Sequence, residues 1–360
     1  MTKKGRNGRI EFFRFVFAMI VMIFHGKNVM NDGEIRIMFS GRLGVEFFFL
    51  VSGYLMAASI AKIAAREETP RIGRETEHFL VRKFLAVYPM VIIAYFTLMI
   101  VSYLSEPTSL GAWLLKIVKG ASNLLLIQQS GIEFFTANGT WYISSMLFAM
   151  AILFPLGLKF HSFMRRVGFG LIALLVTGYM MMFTSGIGGP TTIIGDFTYR
   201  GNLRAISEIA LGAVCFEGAA QLRQYRYTRL GQLLLGALEA AAYAISIWYM
   251  VVHEGSKYDY YILLLLAVGV TLTFSGCNYN SKFWDKQIFS FLGKASLYIY
   301  LGHITFARDL TFLIGEGVSN RMAMVIFLIL GLSNAALLWA ISEIIRRNMP
   351  KVRRLLIKEA

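Results

Sequence analysis

The sequence predicts an all-α integral membrane protein, a bundle of about ten transmembrane helices with both termini cytoplasmic. Three observations carry this. Of 360 residues, 56% are hydrophobic and 29 are Phe, and the mean hydropathy is +0.58, a balance foreign to soluble domains. Apolar stretches of about 17 to 23 residues, long enough to cross a hydrocarbon core at 1.5 Å per residue, recur at 10–30, 43–61, 84–104, 141–160, 168–184, 203–221, 232–252, 260–276, 288–310 and 322–345. Lys and Arg are distributed unevenly between alternate loops. With the N-terminus inside, the inner stretches hold 24 and the outer ones 8, the bias that orients polytopic proteins. The net charge of +15 therefore belongs to cytoplasmic loops and is no sign of nucleic-acid binding.

The first segment, IEFFRFVFAMIVMIFHGKNVM, carries Arg14 near its start and His25 near its end. Eleven residues separate them, so on a helix they share a face roughly 16 Å apart. Between them on that face lie the slim Ala18 and Val21. Either residue alone could snorkel to the headgroups; two ionisable groups on one stripe point to a protein interior or a wet cavity. Glu11 stands three residues before Arg14 and can pair with it. No cleavage site follows, so the segment reads as a span and not a signal peptide.

In the second segment, GRLGVEFFFLVSGYLMA, Glu46 stands at the outer end and Ser52-Gly53 at mid-depth. Glu46 and Gly53 share a face, where the glycine admits a close neighbour; an interfacial Glu over a helix-packing Ser-Gly is the plainer alternative. Residues 110–128 are amphipathic, broken by Lys116 and Lys119, and read as an interfacial or re-entrant helix. The sixth segment offers Arg204 and Glu208 at i,i+4, a pairing distance, together with Gly212. Cys215 and Cys277 lie in different segments without metal spacing, so neither a disulfide framework nor a zinc site is expected. Residues 1–345 read as one transmembrane domain and 346–360 as a basic tail on the anionic cytoplasmic leaflet. No repeat, low-complexity tract, Walker loop or GxGxxG occurs, and no fused extracellular domain is expected.

Arg14, ten residues and His25, followed by GVEFFFLVSGYLM, resemble the opening of acyltransferase family 3. The likeness continues in order along the chain. FLVRKFLAVYPM is similar to that family's basic stretch before a proline; alignment on Pro89 puts Lys83 and Ala86 where two arginines usually stand, with Arg82 beside the first. NGTWYISSM resembles a Trp-x-x-Ser stretch, with Trp141 and Ser144, and FLGKASLYIYLGHITF a late signature with Ser296, Tyr300 and His303. Many members carry a Glu five residues after the Trp; Met146 stands there, so no carboxylate acts from that position.

The resemblance implies a multi-pass enzyme of a bacterial plasma membrane that O-acylates, mostly O-acetylates, a cell-surface glycan or lipid-linked glycan. Its donor would be acyl-CoA, commonly acetyl-CoA, used from the cytoplasmic side as a substrate and not as a bound cofactor. Arg14, Arg82, Lys83 and also Lys294 supply cations for the donor's phosphates. A histidine side chain ordinarily titrates near neutrality, and His25 is assigned as general base, with Glu46 as the carboxylate that orients it. Ser52, Trp141, Ser144, Arg204, Glu208, Tyr300 and His303 are assigned to substrate binding, His303 also fitting a structural role. Direct attack by the hydroxyl and a two-step route through an acyl-enzyme both remain open. A single cavity is expected to run from a cytoplasmic mouth beside Arg14 to His25, with an outer opening near Glu46, Trp141 and residues 185–202. The competing class is a transporter or flippase using the same Arg, Glu and His as a substrate or proton path.

Overall fold

A computed structural model describes residues 7–29, 38–67, 69–132, 138–278, 282–307 and 318–348. Ten long helices run through it: α1 (Gly8–His25), α2 (Gly44–Ala64), α3 (Ile72–Ser105), α5 (Trp141–Lys159), α6 (His161–Phe183), α7 (Arg200–Leu222), α8 (Arg229–Val252), α9 (Asp259–Ser275), α10 (Gln287–Gly302) and α11 (Asn320–Asn348), with a short amphipathic α4 at Leu110–Lys119. Each predicted segment overlaps one of these helices. Among the described residues, seven helices are long and apolar enough to cross a membrane by length and composition: α2, α3, α5, α6, α7, α8 and α11. The other three fall short for visible reasons. α1 carries Arg9, Glu11 and Arg14, while α9 and α10 have only 17 and 16 residues.

Several boundaries differ from the hydropathy reading. α1 stops at His25 and a 3₁₀ turn, Gly26–Val29, follows. α3 begins at Ile72, twelve residues before the predicted span, because the polar run 72–83 is a good helix former that hydropathy does not register. Its 34 residues measure about 51 Å, so its first turns overhang any hydrocarbon core. α6 is distorted by a π-helical stretch at Met164–Gly168. Arg36, Arg308 and residues 349–360 of the basic tail lie outside the described residues; 346–348 continue α11.

Local chemistry explains the starts of these helices. The Asn7 side chain accepts from the amides of Arg9 and Ile10, at 3.1 and 3.4 Å, and Glu11 lies in the first turn where the dipole favours it. Successive long helices alternate in direction, and contacts at the two ends fix this. At one end the Asn7 amide donates to the Thr273 carbonyl (3.1 Å), Arg9 pairs with Glu239 (2.9 Å) and Arg223 donates to the Phe274 carbonyl (3.0 Å). At the other, Ser40 N–H donates to the Met250 carbonyl (3.0 Å) and Arg42 pairs with Asp259 (2.8 Å). The first and last described residues share the former end. The latter end gathers the C-termini of α1 and α10 with the N-termini of α2, α5 and α7.

α2 and α7 pack backbone against backbone. A Cβ at Gly53 would fall on the Ile209 carbonyl, and one at Gly212 on the Leu50 carbonyl. The glycines thus bring two backbones together, as the shared face of Glu46 and Gly53 suggested, and set Glu46 opposite the start of α7. Gly293 of α10 likewise makes room for the Glu11 carboxylate of α1. α4 buries no residue. It rests along the end of α3 through Trp113 Nε1 to the Met99 carbonyl (3.1 Å), Lys116 to Ser102 (2.6 Å) and the Tyr95 hydroxyl to the Ile117 carbonyl (2.9 Å).

Candidate active site

His25 closes α1 and His303 follows the last turn of α10. Packing of those two helices brings the rings to 5.0 Å between centroids, although 278 residues separate them. His25 Nδ1 lies 2.8 Å from the Val21 carbonyl and 3.3 Å from His303 Nε2. His303 Nδ1 lies 3.0 Å from the Ile299 carbonyl. His25 is half-buried and its Nε2 is bonded by no described residue, whereas His303 is only 1% exposed.

Glu46, in the first turn of α2, was expected to orient His25. It does not: its Oε1 is 2.6 Å from Arg204 of α7, and Glu208 Oε1 is 3.8 Å from the same guanidinium. The Gly53–Gly212 contact explains the difference, because it sets α2 against α7 and turns the carboxylate toward Arg204. The i,i+4 pairing of Arg204 with Glu208 is as the spacing predicts. All three side chains are at most 2% exposed, and the Trp141 ring lies 4.9 Å from the guanidinium carbon, a cation–π contact. Glu46 Oε2, both Glu208 oxygens and Arg204 Nε make no hydrogen bond with described residues. Two buried carboxyls share one cation and lie close enough to each other to share a proton.

An aromatic bridge joins this cluster to the histidines. The Tyr300 ring is 6.0 Å from His303 and 5.7 Å from Tyr142, and its buried hydroxyl has no partner among the described residues. The Tyr142 hydroxyl meets Ser52 Oγ at 3.2 Å, placing Ser52 on the same path. Ser144 is turned away from it: its hydroxyl accepts the Gln129 amide at 3.3 Å and fastens the turn at 128–130. The Asn202 side chain holds that turn from α7, donating to the Gln129 carbonyl at 2.7 Å. Gln129 Oε1 and Ser145 Oγ, both buried, also make no hydrogen bond with described residues. Tyr142, Gln129 and Asn202 escaped the sequence reading; Tyr142, between Trp141 and Ser144, was the one within reach of a motif.

The cations divide into two groups. Arg14 pairs with Glu11 at 3.5 Å, as predicted, and its charge and that of Arg82 act on Lys83, so α1 and α3 gather three positive side chains in the half away from His25. Lys294 points outward and is exposed. A cavity opens between α3 and α10, lined by Val91, Tyr95, Asn123, Thr140, Leu301 and Ile304 among others. None of Arg14, His25 or Glu46 lines it, so it is not the passage expected between them.

Comparison with known proteins finds a family match. The family model described as an acyltransferase domain, that of acyltransferase family 3, matches residues 7–343. No curated protein and no solved structure matches. The match spans α1 to α11 and takes in the histidine pair and the Arg–Glu cluster together, so the chain belongs to acyltransferase family 3 and is a multi-pass membrane acyltransferase.

Proposed function

We propose that this acyltransferase is an O-acetyltransferase of a bacterial plasma membrane, with both termini cytoplasmic. It moves an acyl group from acyl-CoA to a hydroxyl of a cell-surface or lipid-linked glycan. The observation that carries the reading is that no described residue bonds Nε2 of His25, on a ring whose other nitrogen is held at 2.8 Å by the Val21 carbonyl. A ring fixed by one nitrogen and open at the other is what a general base requires. In this mechanism His25 Nε2 takes the proton of the acceptor hydroxyl as its oxygen attacks the thioester carbonyl. The new O–acyl bond forms, the C–S bond breaks, and the departing thiolate takes the proton back from Nε2. Arg14, Arg82 and Lys83, in the half of the bundle away from His25, serve the donor's phosphates. The roughly 16 Å along α1 from Arg14 to His25 suits the extended arm between those phosphates and the thioester.

The test is His25→Ala in protein purified into nanodiscs, with acetyl-CoA and extracted cell-envelope glycan. Thiol release should fall by about 10²–10⁴-fold, the usual cost of losing a general base, while CoA binding measured by calorimetry persists. Near-normal thiol release from His25→Ala removes His25 from the chemistry and the reading with it.

A further inference from the structure

We propose that His303 is the positioning residue of the base, accepting the Nδ1 hydrogen of His25 and so leaving Nε2 as the one basic nitrogen offered to the acceptor. The inference rests on His25 being that base. Carbonyl oxygens only accept hydrogen bonds, so contact with the Val21 carbonyl at 2.8 Å puts the hydrogen of His25 on Nδ1. The same logic at the Ile299 carbonyl, 3.0 Å from His303 Nδ1, puts the His303 hydrogen there too. A neutral imidazole carries one N–H, so His303 Nε2 is a lone pair. It faces the Nδ1–H of His25 at 3.3 Å, and the His25 hydrogen is shared between a carbonyl and an imidazole.

Three features separate this role from substrate contact or plain packing. His303 is 1% exposed and both its nitrogens are engaged, so neither is left for a ligand. Among the described residues no carboxylate substitutes for it, since Glu46 is bound to Arg204. A 180° flip of the His25 ring would put Cδ2 where Nδ1 stands and forfeit both bonds. When His25 takes a proton at Nε2, the Nδ1–H becomes a cationic donor, and its bond to His303 strengthens as charge-assisted hydrogen bonds do. The triad arrangement of base and orienter is thereby built with a neutral second ring in place of a carboxylate.

The experiment compares the wild type with His303→Gln, whose amide oxygen can still accept, and His303→Leu, which cannot. Ring ¹⁵N spectra of histidine-labelled protein in nanodiscs report the His25 tautomer, assigned by the signal lost in His25→Ala. Wild type and His303→Gln should show His25 with its hydrogen on Nδ1, and His303→Leu, where the Val21 carbonyl alone still holds that hydrogen, a measurable share of the Nε2–H tautomer. Thiol release from acetyl-CoA should fall by about 10²-fold in His303→Leu, the low end of the cost of losing a base, and by less than about tenfold in His303→Gln. If His303→Leu unfolds, a folded His303→Gln, judged by thermal unfolding, decides alone: a mixed His25 tautomer there overturns the assignment. So does a single unchanged tautomer with unchanged thiol release in folded His303→Leu. Should the wild type release no thiol, the enzymatic reading of His25 fails, while the tautomers still decide what His303 does.

Discussion

Glu239 and Glu208 are both buried glutamates next to an arginine, at opposite ends of the bundle, and they are treated differently. Glu239 Oε1 accepts from Thr273 at 2.7 Å, and Oε2 accepts from Arg9 at 2.9 Å and from the Asn278 amide. Asp259 is as well supplied, with Arg42, Tyr249 and the amide of Ile187 all within 3.0 Å. Glu208 is ion-paired with Arg204 at 3.8 Å, yet neither oxygen accepts a hydrogen bond from the described residues. A buried acceptor left unbonded costs about 1–3 kcal/mol. The saturated carboxylates are rivets between helices, whereas Glu46 and Glu208 have only Arg204 and each other among the described residues.

The contrast can be broken by substitution. The largest effect is expected at Arg204, the one cation between Glu46 and Glu208. Arg204→Ala should destabilise by about 3–5 kcal/mol, as removal of one partner from a buried ion pair does, read as a large drop in thermal unfolding temperature in detergent. At the saturated end, Thr273→Val takes a hydroxyl from both Glu239 and Tyr243. It should cost about 1–3 kcal/mol and leave the thiol release of the folded fraction unchanged. Glu208→Gln should do the reverse: a stability change below about 1 kcal/mol, because the amide can donate to Glu46 where the carboxyl pair shares a proton, with thiol release reduced at least about tenfold, a loss of roughly 1.4 kcal/mol in the barrier. If Glu208→Gln instead costs as much stability as Thr273→Val and leaves thiol release intact, the distinction fails. The smallest effect belongs to Arg66, whose side chain is 51% exposed in its pair with Glu75; Arg66→Ala should stay within about 0.5 kcal/mol.

What the sequence showed and what it hid follow from the reach of helical periodicity. Pairs within one helix were legible: Arg14 with Glu11, Arg204 with Glu208, and the shared face of Glu46 and Gly53. Pairs between helices were not. Hydropathy locates segments without saying which faces meet, so Glu46 was assigned to His25 when its partner is Arg204, 158 residues away. The ring that does meet His25 stood in a recognised signature, but no spacing rule joins positions 278 residues apart. The length of α3 was hidden for another reason: a hydropathy window sees the apolar part of a helix and is blind to the charged turns that extend it.

The same separations impose an order on the birth of the site. Chains emerge at about 5–20 residues per second, so the 158 residues from Glu46 to Arg204 take about 8–32 s to synthesise. Throughout that interval Glu46 is without Arg204, and α2 must wait without the glycine contact that will seat it. The two imidazoles are the slower couple, His303 following His25 by 278 residues and therefore by about 14–56 s. A newborn chain passes through most of its insertion with the reactive end unmade, and the histidine pair forms only after nine of the ten long helices have been translated.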